Sequence, residues 1–379
     1  MGGELPRRVL MTADTVGGVW THALELARAL AARGVRIELA SMGALPSAAQ
    51  RDDAARVENM TLHASRHRLE WMDEPWHDVD AAGEWLLRLE ATLRPDVVHL
   101  NQFAFGALPF AAPKLLVAHS CVLSWWRAVH GVDAPAAWDR YRRVVRDGIA
   151  GADLVGAPTR AMLESLRANH GHGRAGTVLP NGRSAREFAP GRKEARIVAA
   201  GRLWDEAKNL AALEAVAPRL PWPVCVAGAT RAPGGATRAT RGVQLLGDLT
   251  PAALGEQLAR ASIFAAPARY EPFGQTALEA ALAGCALVLG AIASLREVWG
   301  PAALYVAPDD HDALHACLAR LIDDASLRRA LGAQARARAI RYSPERMVDA
   351  YLSAYGRIAP RFAATTSSPE PALEASCAS

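Results

Sequence analysis

Short apolar runs alternate with stretches of helical periodicity along almost the whole chain, and the alternation breaks once, near its middle. In the first half, residues 8–11, 36–41, 60–64, 96–101, 114–119, 154–157 and 177–179 read as strands. Helical spacing is clearest over 21–33 (THALELARALAAR), where Leu24, Ala27, Leu30 and Ala31 share a face and Gly34 supplies the stop. A second helix is expected over 79–94, ending before Pro95. The polar stretch 183–193 (RSAREFAPGRK), with its Gly and Pro, reads as a linker. Beyond it come strands at 197–200, 224–227, 243–246, 263–266, 286–289 and 304–306, with helices at 210–218, 251–260, 275–283, 312–323 and 326–341. Strands that are apolar throughout, set between helices, predict parallel sheets covered on both faces. Two α/β lobes are therefore expected, 1–182 and 194–343, with a cleft between them. A final helix, 344–360, carries Met347, Tyr351, Ala354 and Tyr355 as an apolar stripe. Residues 361–379 are low in complexity and are expected to be disordered.

Composition narrows the class. A length of 379 residues, 51% hydrophobic and 22% charged, suits a globular protein of two domains. With 43 basic and 39 acidic residues the net charge is only +4, too small to argue for nucleic acid. Cys121, Cys225, Cys285, Cys317 and Cys377 show no CxxC spacing, so neither a disulfide framework nor a zinc site is indicated, and a reducing, cytoplasmic setting is expected. The start, MGGELPRRVLM, lacks the apolar core of a signal peptide. No apolar run approaches the ~20 residues that span a bilayer, so peripheral membrane contact is conceivable but not indicated.

The chemistry concentrates at 271–279, EPFGQTALE. Gly274 lets a backbone approach a ligand without a Cβ in the way, and the amides from Gln275 onward open a helix whose unpaired N–H groups suit a phosphate. Mostly helical rise separates Glu271 from Glu279 by roughly 10–12 Å, about the span from a sugar to the ribose of one nucleotide. Two readings stand: a carboxylate gripping hydroxyls at each end of such a ligand, or a helix start with acids favoured by the macrodipole. Gly17 and Gly18 lie between the first strand and its helix, where an anion could be approached, although the pattern is not GxGxxG and no ribose-binding acid follows. Arg202 and Lys208 follow the first strand of the second lobe. Two cations at a sheet edge could neutralise a diphosphate leaving group, or be solvated surface charges.

Taken in order, the Gly-Gly turn, Pro180-Asn181-Gly182, the Arg202 and Lys208 pair, EPFGQTALEAALAG at 271–284 and the final helix resemble family 4 of the retaining glycosyltransferases. That resemblance implies the α/β GT-B fold: two Rossmann-like lobes across a cleft, with the C-terminal helix returning towards the first. It implies that Glu271 holds hydroxyls of the donor sugar, that the backbone from Phe273 through Gly274 to Gln275 meets sugar or phosphate, and that Glu279 takes the ribose. Arg202 and Lys208 would take the diphosphate, with Gly17 or Gly18 closing from the other lobe, and His119 in VAHSC would lie beside the donor sugar. The chain departs from the family after Pro-Asn-Gly, where Val-Asp is frequent and Arg183-Ser184 stands here.

The implied activity is transfer of a sugar from a nucleoside-diphosphate sugar to an acceptor hydroxyl with retention of configuration, without a metal or other cofactor. The acceptor could be a soluble metabolite, an oligosaccharide or a lipid-linked glycan. A sugar-nucleotide epimerase of the same fold and a non-catalytic sugar-nucleotide-binding subunit are the alternatives. On residue type alone, His119 could equally be a structural histidine. Trp125 and Trp126 could offer faces to an acceptor or belong to the core. Asp78-Val79-Asp80 has the DxD spacing of a metal site but reads as a helix start, His170 and His172 read as a loop, and the Arg-rich 328–341 reads as a solvated helix face.

Overall fold

The computed structural model describes residues 5–171, 176–232, 235 and 237–359. The first lobe is built on β1 (Arg8–Asp14), β2 (Arg36–Met42), β3 (Met60–Ala64), β4 (Val97–Leu100), β5 (Lys114–Val117), β6 (Leu154–Ala157) and β7 (Thr177–Val178). The second is built on β8 (Glu194–Ala200), β9 (Val224–Ala227), β10 (Gln244–Gly247), β11 (Ala261–Ala266), β12 (Ala286–Gly290) and β13 (Leu304–Val306). The sheets run β3-β2-β1-β4-β5-β6-β7 and β10-β9-β8-β11-β12-β13. Every pairing in both is parallel, with Val9 opposite Ile37 on one side and Val97 on the other. Counted within each lobe, the first six strands follow the same doubly wound order, so the order reverses beside β1 and again beside β8.

Each expected strand has a counterpart, and those covered on both faces, such as β9 and β12, are written as unbroken apolar runs. Several helices were not expected: Ala48–Ala55, Val122–His130, Asp139–Gly151, Arg160–His170 and Ala293–Trp299. His170 is therefore the buried last residue of a helix rather than part of a loop, and its Nε2 lies 3.3 Å from Cys121 Sγ. His172 and residues 361–379 fall outside the described residues. Asp78-Val79-Asp80 forms the first turn of the helix Trp76–Leu93; Asp78 accepts the Arg68 amide hydrogen and Asp80 lies 3.6 Å from Arg140. No helix among the described residues is long and apolar enough to cross a membrane.

The helix Pro344–Ile358 crosses from the second lobe and covers the first. Its Tyr351 and Tyr355 are completely buried beside β1 and β4, and their hydroxyls share hydrogen bonds with His22 (3.0 Å) and His99 (2.9 Å). The stretch 183–193 is not a free polar tether. Arg183 and Phe188 are buried, the Arg183 amide donates to Tyr342 O at 2.9 Å, and a Cβ on Gly182 would strike Ser343 O at 2.5 Å. The two chain crossings between the lobes are thus packed together.

Candidate active site

Both points of strand reversal open on one cavity of about 800 Å³ between the lobes. Gly17, Gly18 and His119 line it from the first lobe; Arg202, Lys208, Glu271, Phe273, Gln275 and Glu279 line it from the second. Gly274 lies just behind that wall, facing a small recess it shares with Lys208 and Glu271. The loops at 228–231 and 246–249 contribute Gly228, Arg231, Asp248 and Leu249 to the same lining.

Gly274 adopts φ 90°, a conformation open to glycine, and the helix Gln275–Leu282 starts directly after it. Its N–H donates to Glu271 Oε1 at 3.0 Å, while Glu271 Oε2 meets Lys208 Nζ at 2.5 Å. Glu271 caps the turn with one oxygen and meets a cation in the cavity with the other. Burial pushes this carboxyl up, but Lys208, the Gly274 N–H and Arg202 outweigh it and hold the group below the usual range, so Glu271 is ionised.

Arg202 leaves the carboxyl end of β8 and donates from Nη2 to Asp205 Oδ2 at 2.7 Å. A Cβ on Gly17 would lie 3.1 Å from Arg202 Nη1, so this first-lobe turn (φ 88°) sits directly against the second-lobe cation. The buried Asp205 also accepts from the Ala207 amide at 3.0 Å and from Trp125 Nε1 at 2.9 Å. Burial raises its pKa, but Arg202, Lys208 and the Trp125 indole outweigh that and hold it down. The sequence reading missed Asp205. Its one signal was an acid between the two cations of the same loop.

Glu279 lines the cavity but is 95% buried, and its Oε1 accepts from Arg183 Nε at 2.9 Å. Burial raises its pKa and Arg183 opposes the rise. In the first lobe, burial pushes His119 down to about 4, so its ring is neutral near pH 7. Asn101 donates its amide hydrogen to Thr12 O at 2.6 Å, which leaves Asn101 Oδ1 to accept from His119 Nε2 at 2.8 Å. His119 Nδ1 is therefore an acceptor. Asp14, at the end of β1, accepts the Val16 amide hydrogen at 3.0 Å, and burial raises it to about 7 with Arg202 opposing.

Trp125 and Trp126 are not among the described residues lining the cavity, which Trp204 does line. Trp126 packs on the first-lobe core, whereas Trp125 is a contact between lobes, a role not among those expected.

The model of "Glycosyltransferase Family 4" matches residues 16–186, and that of "Glycosyl transferases group 1" matches residues 194–324. A glycogen synthase from Mycobacterium tuberculosis is 29% identical over 374 residues, covering 86% of each chain. Sucrose-phosphate synthase from Thermosynechococcus elongatus superposes with a TM-score of 0.76 at 19% identity, over 92% of this chain and 98% of its own. Anabaena HepE, solved in complex with UDP and glucose, superposes at 0.70 with 14% identity, over 90% and 97%. At these identities the solved structures speak for the fold, and the two family models fall in order on its two lobes: this chain belongs to the family 4 glycosyltransferases, with the GT-B fold.

Proposed function

We propose that the protein is a retaining, metal-independent glycosyltransferase that moves a sugar from a nucleoside-diphosphate sugar to an acceptor hydroxyl. One observation carries this reading. Arg202 and Lys208, from the loop after β8, share a cavity with the first turn of the helix Gln275–Leu282, and the Gly17 turn closes on Arg202 from the opposite lobe. Two cations and a helix N-terminus are what a diphosphate leaving group requires. The complexes of HepE with UDP and with UDP-glucose support a nucleotide-sugar donor for the shared fold.

In this reading the bond from the anomeric carbon to the diphosphate oxygen breaks, and its electron pair leaves with the diphosphate. Arg202 and Lys208 stabilise that charge. The acceptor oxygen bonds to the anomeric carbon on the same face and passes its proton to the departing diphosphate. Glu271 accepts hydrogen bonds from sugar hydroxyls, the neutral His119 offers Nδ1 as a further acceptor, and Glu279 takes the ribose hydroxyls. The glycogen synthase relative supports a polysaccharide-type acceptor such as a glucan.

The test is incubation with UDP-, ADP- and GDP-sugars and glycan acceptors, with and without EDTA. Nucleoside diphosphate release, transfer and product anomer are followed by NMR. Transfer with retention that survives EDTA is expected. An inverted product or loss of activity in EDTA overturns the corresponding part. Isomerised donor would point to the epimerase, and binding without turnover to a non-catalytic subunit.

A further inference from the structure

Two helices present their N-termini to the donor cavity, one from each lobe: Gly18–Ala31, opening at Gly17, and Gln275–Leu282, opening at Gly274. Their bodies are joined by one side chain. Arg183 donates from Nε to Glu279 Oε1 at 2.9 Å and from Nη1 to Glu25 Oε2 at 2.8 Å. Its side chain is 3% exposed, against 4% for Glu25 and 7% for Glu279, so the group is closed off from water. The guanidinium lies 4.8 Å over the Phe188 ring, and the Arg183 backbone is tied to Tyr342 O where the two chain crossings meet. Glu187, half-exposed, lies 3.5 Å from Nη1, and Arg28 lies 3.7 Å from the same Glu25 Oε2.

We propose that Arg183 is a positioning residue that holds Glu279 aimed at the donor ribose, and that through Glu25 it fixes the first-lobe helix against the second. The inference rests on the donor reading above. A planar fork with two donor edges can serve both carboxylates at once, which a point charge cannot. Burial raises the pKa of both glutamates, and the shared Arg183 opposes the rise in each. The helix from Gly18 carries Glu25 about two turns below its start, and Glu279 lies about one turn below Gln275. The Arg183 clamp therefore sets the separation of the two N-termini as well as the Glu279 rotamer.

The experiment measures binding of UDP, ADP and GDP, and of their 2′-deoxy counterparts, to the full chain by calorimetry, together with nucleoside diphosphate release from the matching sugar nucleotide. The parent should prefer the best ribonucleotide over its 2′-deoxy form by about tenfold or more, since the lost bond is to a charged group. Arg183→Met should erase most of that preference by weakening the ribonucleotide about tenfold while leaving the 2′-deoxy form nearly unchanged. Glu25→Gln should keep the preference and the affinity but lower kcat about tenfold, through looser seating of the first-lobe helix. If Arg183→Met does not fold, Arg183→Met/Glu25→Gln removes opposite charges together and retains Glu279 for the same measurement. A retained ribose preference in either Arg183 variant, or parental kcat in Glu25→Gln, overturns the proposal. Failure of the donor reading shows instead in the parent, as absence of nucleotide binding or of any ribose preference.

Discussion

Trp125 of the first lobe donates its indole hydrogen to Asp205 Oδ1 at 2.9 Å, while Arg202 of the second lobe occupies Oδ2 of the same carboxylate at 2.7 Å. One buried acid therefore holds the cavity cation Arg202 in register with the opposite lobe. Trp125→Phe keeps most of the ring and removes the donor. A hydrogen bond to a charged acceptor is worth about 1.5–3 kcal/mol, and turnover is expected to fall about tenfold with donor KM little changed. Parental kcat in a folded Trp125→Phe protein would remove this contact from the machinery.

Lys208 and Glu271 should behave as a unit. Lys208→Ala and Glu271→Gln are each expected to lower kcat by about 10²–10³. Lys208→Ala also strips a partly buried carboxylate of its cation, so the double variant should lose much less than the product of the single losses. Losses that simply multiply in this double-mutant cycle would show that the 2.5 Å pair is not coupled during the reaction.

Gly17 combines φ 88° with a close approach to Arg202. Gly17→Ala should cost about 1–2 kcal/mol in urea unfolding, because its backbone is left-handed. The new methyl also displaces the guanidinium, so kcat should fall by more than donor affinity does. Unaltered kcat beside the stability loss would mean that Arg202 tolerates the shift.

Asp14 gives a pH signature. Burial pushes its carboxyl up to about 7 in the folded protein, against about 3.9 for an unperturbed aspartate. Between those values the folded protein holds a proton that the unfolded chain has released, so this group's contribution to stability falls as pH rises from about 4 to about 7, then levels off. Asp14→Asn removes that loss. Relative to the parent, the variant should gain up to about 4 kcal/mol of stability between pH 4 and pH 8. Chemical unfolding at both pH values checks it, and a constant difference between the two proteins would contradict the burial argument.

The strand positions and the turn-and-helix segment 274–283 were legible for the same reason: their physics is local. An all-apolar strand declares that both its faces are covered, and Gly274, Gln275 and Glu279 are neighbours on one turn-and-helix unit. The helix Asp139–Gly151 was not legible, because arginines and glycines mask a buried face of Tyr141, Val145, Gly148 and Ile149. Gly148 is itself a packing residue, since a Cβ there would lie 1.9 Å from Phe103 O.

By itself, then, the sequence determined two parallel α/β lobes, a final helix and a set of charged residues and glycines at the sheet edges. Tertiary structure alone decided the partners of those groups. Arg183 stands 158 residues from Glu25 and 96 from Glu279, and Trp125 stands 80 from Asp205. In the sequence, Arg183 is one more charge in a polar stretch. Folding removes the water around it, and a buried guanidinium must then find carboxylates wherever the two lobes bring them.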